Sequence, residues 1–366
     1  MGNSILPFPD YPFVNSRELD RDALKRAGCF TTFRARINIR DNLANIGMIR
    51  ADKDWATAKN QQWNSITVGC TFSPVGTAAS FMFFECLPDR MEVLSYLNEL
   101  GFLHDDDMET LDSELALNAH KRLRNALICE KDSEGKSPKS VAIMKKLFSA
   151  VVLDCLEIDL AAGRDVMRCY TDDWLKVLDT SSIPLTTLDE YFKYRFENVS
   201  LRTYWRMIAF GHGTPLSDED FNLMSPLLDI TARTYLLTND LYSWPIEKYQ
   251  NKDHIANAVF LYIKTQTMSE EEAITKVKQD VLDHEARFFL IRESFCKAHP
   301  DHPARLKKFV NVLEPSIGGY HYWCSTCPRH NSPKRIFPCV RMASTKRLKA
   351  MRPQLILYPG APTPPS

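Results

Sequence analysis

The sequence lacks a charge surplus of either sign: 46 lysines and arginines stand against 46 aspartates and glutamates in 366 residues. A nucleic-acid-binding surface would want a basic excess, so no nucleic acid is expected as a partner. Long apolar runs are also missing. About 18 uninterrupted apolar residues occur nowhere, so no membrane span is expected. Met1 to Phe13 lacks the basic stretch and apolar run of a secretory leader. Gly2 follows Met1, but Leu6 stands where myristoylation wants serine or threonine. Ten cysteines are too few for a disulfide scaffold. Most are scattered, several in apolar runs, which fits reduced, buried thiols and a cytoplasmic protein. Period-two runs of β-branched residues are nearly absent, and no internal repeat is visible. What remains is 44% hydrophobic, 11% aromatic and 25% charged, a globular composition with enough apolar residues for a large core.

The zero net charge hides an asymmetry. Residues 331–366 hold seven cations and no acid, so residues 1–330 keep 39 of the cations against all 46 acids, a net charge of −7. Seven prolines share that last segment, which has the composition of a tail or interdomain linker. The folded unit is therefore expected over residues 1–330, with 331–366 as tail or linker.

Helical periodicity dominates after Pro88. Met91, Leu94, Leu97 and Leu100 predict a helix over 89–104, and further helices are predicted over 112–130, 138–163, 187–211, 218–248, 253–267, 270–298 and 302–322. Capping signatures mark three starts: Thr187-x-x-Glu190, Ser217-x-x-Asp220 and Ser269-x-x-Glu272. The first 60 residues, with Pro7, Pro9 and Pro12, read as an irregular strap followed by short helices. An all-α fold follows.

Two stretches carry chemistry. Leu103-His104-Asp105-Asp106-Asp107-Met108-Glu109 ends a strongly apolar helix, and Asp105 and Glu109 share one helix face at i and i+4. Carboxylates this close repel one another unless a multivalent cation neutralises them, and hard oxygen ligands suit Mg²⁺. A solvated acidic helix end is the bland alternative. The second stretch places Asn239, Ser243 and Glu247 at i, i+4 and i+8 on a face that upstream carries Leu228, Ala232, Tyr235 and Leu236. An amide, a hydroxyl and a carboxylate converging from an apolar face make an odd core but a sensible oxygen site for a hard cation. A helix end bent by Pro245 is the alternative here. Cys324-x-x-Cys327, with His330 and Cys339 nearby, could suggest zinc, but the second ligand pair is missing.

Asp105-Asp106-x-x-Glu109 and Asn239-Asp240-x-x-Ser243-x-x-x-Glu247 resemble the two metal motifs of class I terpene synthases, about 130 residues apart. Gly28-Cys29-Phe30-Thr31-Thr32, Phe102-Leu103-His104-Asp105-Asp106 and Tyr322-Trp323-Cys324-Ser325-Thr326-Cys327-Pro328-Arg329 resemble, more narrowly, the N-terminal cyclase domain of fungal bifunctional di- and sesterterpene synthases. The resemblance spans residues 10–330. It implies a single helical bundle with a central cavity, three Mg²⁺ ions, and an isoprenoid diphosphate substrate that is ionised and cyclised. Asp105, Glu109, Asn239, Ser243 and Glu247 would be the metal ligands. Arg195, 44 residues before Asn239, with Lys248 and Arg329, would bind diphosphate. The family usually has tyrosine after that arginine; here His330 stands, and histidine can donate the same hydrogen bond. Phe81, Phe83, Phe84, Trp205, Phe210, Tyr320 and Trp323 are candidate walls for a carbocation, none assigned singly. By the same resemblance Cys324 and Cys327 belong to a terminal helix.

Geranylgeranyl diphosphate is the expected substrate, with the C25 homologue as the alternative. The resemblance leaves open a prenyltransferase domain C-terminal to this chain and a homo-oligomer. A chain-elongating prenyltransferase would use two aspartate-rich motifs, and the Asn239–Ser243–Glu247 pattern argues against it. A Cys/His-stapled binding module would explain the cysteines and leave both acidic motifs unexplained. Acids outside the motifs are expected to form a solvated surface.

Overall fold

The expectation of an all-helical chain is met by fifteen helices among the described residues of a computed structural model, which are 12–63, 70–108, 113–128, 139–175, 185–249, 255–298 and 300–331. Strand β1 (Ser16–Glu18) and helix α1 (Arg21–Arg26) lead to strand β2 (Arg36–Asn38) and helix α2 (Asp41–Ala58). Next come α3 (Ala78–Met82), α4 (Pro88–Met108), α5 (Ser113–Leu127), α6 (Lys139–Ile158) and α7 (Leu160–Cys169), which runs into a π-helical turn at Tyr170–Trp174. The second half holds α8 (Leu188–Asn198), α9 (Leu201–Gly211), α10 (Asp218–Leu223), α11 (Ser225–Glu247), α12 (Ala258–Gln266), α13 (Glu270–Ala298), α14 (Ala304–Thr326) and α15 (Pro328–Asn331). None of the described helices is long and apolar enough to cross a membrane.

Local chemistry explains several boundaries. The capping boxes at Thr187 and Ser217 are formed, and Ser269 and Glu272 bond reciprocally in the same way. Three predicted helices are each broken in two: 218–248 parts at Met224, just before Pro226, and 138–163 and 187–211 part further from any such residue. Asp159 turns extended between α6 and α7, caps Ala162 at 3.1 Å and pairs with Arg90 at 3.2 Å. Ser200 adopts φ 50° between α8 and α9, its hydroxyl 2.8 Å from that of Thr203. Neither of these last two breaks is marked by glycine or proline, so periodicity alone ran through them.

The strap is more regular than expected: β1 and β2 pair antiparallel, and α2 spans 18 residues. Buried carboxylates tie it to the bundle. Glu85 accepts from the Val14 and Asn15 amides (2.7 and 2.9 Å) and the Ser16 hydroxyl (2.8 Å). Glu285 of α13 accepts from the Thr31 hydroxyl and from the Thr32 amide and hydroxyl (2.7 and 2.6 Å). Glu314 of α14 holds Arg34 through its amide and guanidinium, all at 3.1 Å. The strap lies so close to α14 that a Cβ on Gly318 would sit 2.1 Å from the Arg34 carbonyl oxygen, so only glycine fits there.

Two layers then define the bundle: α4 packs on α2, α6 and α9, while α11 packs on α13, α14, α12 and α8. The C-terminal part of α4 and that of α11 carry the two acidic motifs.

Candidate active site

Successive residues of an α-helix point about 100° apart, so the three aspartates at the end of α4 take three directions. Asp107 pairs with Lys59 of α2. Asp106 is buried and grips Arg329 of α15 in a bidentate pair (2.9 and 2.5 Å), with the Cys70 thiol 3.2 Å away. Asp105 bonds to none of the described residues. Its side chain is reached by solvent although protein surrounds it, as a group lining a concave mouth would be. Burial, Asp106 and Glu247 push its pKa above the usual aspartate range, while Arg329 and Arg195 oppose them. Asp105 therefore feels charges from α8, α11 and α15 at once. Glu109 lies outside the described residues.

On α11 the three predicted oxygens share one face, and the helix runs through Pro245 to Glu247 without a break. Asn239 accepts from the Arg195 guanidinium at 3.2 Å and donates its amide N–H to the Tyr320 hydroxyl at 3.0 Å. Glu247 accepts from Asn257 at 2.8 Å. Among the described residues Ser243 makes only long contacts, 3.4 Å to the Asp240 carbonyl and 3.5 Å to Asn257, beyond the usual range for a hydroxyl.

Behind that face sits Asp240, fully buried. It accepts from the Tyr191 hydroxyl, the Ala258 amide (2.9 Å) and Arg195 (3.4 Å). Burial raises its pKa to about 6, with Arg195 opposing. Arg195 of α8 also donates to Asn198 at 2.7 Å. Burial works against its charge, but Tyr191, Asp240 and Glu247 outweigh that and hold the guanidinium above its ordinary range. Arg195 is legible in the sequence, but Tyr191, which donates to Asp240, and Asn257, which donates to Glu247, are not among the sequence candidates. A tyrosine one helical turn before Arg195 and an asparagine capping α12 were the available signals.

The other cations sit elsewhere. Arg329 stays on Asp106, its guanidinium 5.1 Å from the Phe102 ring centre. Lys248 donates to Glu270 at 2.7 Å, beside Trp244, and contacts none of the cluster oxygens among the described residues. His330 is buried edge-on against Trp323.

Seven aromatics singled out in the sequence are all interior. Below Asn239, Tyr204, Tyr235, Tyr320 and Trp323 form a ladder with ring centres 5.4, 4.0 and 5.7 Å apart. A separate cavity of about 360 Å³ lies against Arg21, Leu24, Cys29 and Phe30 and includes no cluster residue.

Asp105, Asn239, Ser243 and Glu247 supply hard oxygens with bonding capacity to spare: Asp105 has no described partner and Ser243 only weak ones. Such a set fits a divalent cation of the Mg²⁺ type, which takes one or two carboxylates plus waters and phosphate oxygens. Among the described residues, no three His, Cys, Asp or Glu side chains could hold a metal by themselves. Cys324 and Cys327 are buried at the end of α14 and form no disulfide among the described residues, and Cys339 lies outside those residues.

The architecture is that of class I terpene synthases. Hedycaryol synthase in complex with HEPES superposes with a TM-score of 0.61 at 17% identity, over 80% of this chain and 96% of that one. The chain belongs to the terpene synthase family: "Terpene synthase family 2, C-terminal metal binding" matches residues 96–287, more than half of its length. Bifunctional terpene synthase FUP1 of Fusarium proliferatum is 34% identical over 87% of this chain and 43% of its own length. Sesterterpene synthase btcA of Colletotrichum orbiculare is 32% identical over 86% of this chain and 45% of its own. The chain thus spans less than half the length of these curated relatives.

Proposed function

We propose that this chain is a Mg²⁺-dependent terpene cyclase that ionises a linear isoprenoid diphosphate and cyclises the resulting carbocation. The reading rests above all on Asp105, a solvent-reached carboxylate with no bonding partner among the described residues that feels the charges of Arg195 and Glu247. Asp105, Asn239, Ser243 and Glu247, with Glu109, would hold up to three Mg²⁺ ions. When bound, the metal neutralises charge that develops on the departing diphosphate. Arg195 would donate to the same diphosphate, a role supported by its bond to Asn239 of the cluster. Arg329 would join by leaving Asp106, and Lys248 by leaving Glu270. The aromatic ladder supplies π faces and keeps water out while positive charge moves.

Geranylgeranyl diphosphate is the proposed substrate. The C25 diphosphate is the second reading, favoured by the relative whose name is sesterterpene synthase. Residues 1–330 would form the cyclase unit, working in the cytoplasm. Residues 331–366 would be a tail or a linker to a prenyltransferase domain, for which the greater length of the relatives leaves room. Incubating the protein with each diphosphate and Mg²⁺, then analysing the organic extract by mass spectrometry, tests this. A cyclic diterpene or sesterterpene is expected, and its absence with both substrates overturns the reading.

A further inference from the structure

Asparagine is an ambiguous metal ligand. Its amide is nearly symmetric in shape, but one end is an acceptor and the other carries two donors. Flipped by half a turn, Asn239 would present N–H groups to a cation and repel it. Something must fix which end faces the cluster.

In the structure Arg195 and Tyr320 do so from opposite ends. A guanidinium has no acceptor, so the atom 3.2 Å from Arg195 must be the amide oxygen and the atom 3.0 Å from the Tyr320 hydroxyl the nitrogen. Arg195 is also a proposed diphosphate ligand and is shared among Asn198, Asn239 and Asp240. The Tyr320 contact does not depend on substrate. Tyr320 is itself immobile: 1% exposed, it lies flat on Tyr235 at 4.0 Å and 17°, and on Trp323 at 5.7 Å. Trp323 is in turn bonded to the Thr71 carbonyl at 2.8 Å. A phenolic hydroxyl has lone pairs to spare for the Asn239 N–H whichever way its own proton points.

We propose that Tyr320 is a positioning residue that accepts the Asn239 amide N–H and thereby keeps the amide oxygen turned to the metal cluster. This rests on reading Asn239 as a Mg²⁺ ligand. Tyr320→Phe keeps the ring stack and removes only the acceptor. In Asn239→Asp the two side-chain oxygens are equivalent and there is no N–H to place, so the Tyr320 hydroxyl loses this task.

The test is calorimetric titration of Mg²⁺ into the full 366-residue chain with inorganic pyrophosphate, without turnover, in the parent, both single variants and the double variant. Tyr320→Phe should raise the half-saturating Mg²⁺ concentration roughly five- to tenfold, the worth of one neutral hydrogen bond. The same substitution in the Asn239→Asp chain should change it less than about twofold. Far-UV circular dichroism of the metal-free proteins should be unchanged. No effect in the Asn239 chain, or an equal effect in both chains, overturns the inference. The underlying reading fails separately, when Asn239→Ala binds Mg²⁺ and pyrophosphate as the parent does.

Discussion

Asp105 and Asp106 are neighbours in sequence, yet their replacement should move stability in opposite directions. Asp105 is a carboxylate whose folded pKa lies above its ordinary value through burial, with Asp106 and Glu247 adding to the effect. A carboxyl raised in this way is stabilising below its unfolded pKa and loses that contribution as pH rises through the folded value. At pH 7 its charge therefore works against the metal-free fold. Asp105→Asn removes that charge and should stabilise the protein by roughly 0.5–2 kcal/mol, nearer the lower end because water reaches the side chain and screens it. Asp106 instead makes two short, charge-assisted bonds to Arg329, and Asp106→Asn keeps only one acceptor, which should cost about 1.5–3 kcal/mol. At no more than about 2–4 °C per kcal/mol, melts in EDTA should rise for Asp105→Asn and fall for Asp106→Asn. Mg²⁺-dependent release of pyrophosphate should meanwhile drop about 10²-fold or more in Asp105→Asn, as when an electrostatic stabiliser of a leaving group is removed. A fall in melting temperature for Asp105→Asn, or turnover equal to the parent, would refute the assignment of Asp105 as a functional ligand.

Two further outcomes concern the scaffold. Glu314→Ala should lower stability by roughly 3–5 kcal/mol at pH 7, because it leaves the buried Arg292 and the strap's Arg34 without their shared carboxylate. Burial alone would raise the pKa of Glu314, but Arg34 and Arg292 hold it below the ordinary glutamate range. Its contribution is thus present above the unfolded value and lost in acid, and urea titrations showing a cost under 1 kcal/mol at pH 7 would contradict it. His212 is fully buried with neither ring nitrogen bonded, and burial lowers its pKa to about 3. Between that value and about 6.5 the unfolded chain binds one more proton, so stability should decline by about 1.4 kcal/mol per pH unit on acidification. His212→Leu should remove that part of the slope, and identical slopes in the two proteins would count against it.

Helix existence was legible from periodicity, and the three capping pairs were legible from side-chain chemistry alone. The interruptions at Asp159 and Ser200 were not, because each is stabilised by side-chain bonds at the break, Arg90 on Asp159 and Thr203 on Ser200. The strap pairing of β1 with β2 was missed because three-residue strands are too short to show a period. At the candidate site, the face shared by Asn239, Ser243 and Glu247 follows from helix geometry. The partners that aim those groups do not. Tyr191, Asn257 and Tyr320 lie 48, 18 and 81 residues from Asn239 and meet the motif only through tertiary packing. Arg329 was expected to bind diphosphate; its pairing with Asp106 across 223 residues has no local signature.

Charge was the other place where composition misled. The excess acid of residues 1–330 was expected, outside the metal motifs, to be solvated surface. Instead Glu85, Glu99, Glu285 and Glu314 are at most 3% exposed. Each accepts several hydrogen bonds from a segment that is not helical: Glu85 from residues 14–16, Glu99 from Cys70 and Thr71, Glu285 from Thr31 and Thr32, Glu314 from Arg34. A burial cost of several kcal/mol per unpaired carboxylate makes such groups untenable unless donors converge on them, so their survival in the core implies that these segments are held in one conformation. The segment bonded to Glu99 carries Cys70, which touches Asp106, and the Thr71 carbonyl, which fixes Trp323 under Tyr320. Buried acid thus holds the frame on which exposed acid at Asp105 is presented. The two uses are separable by experiment because only the second should respond to Mg²⁺.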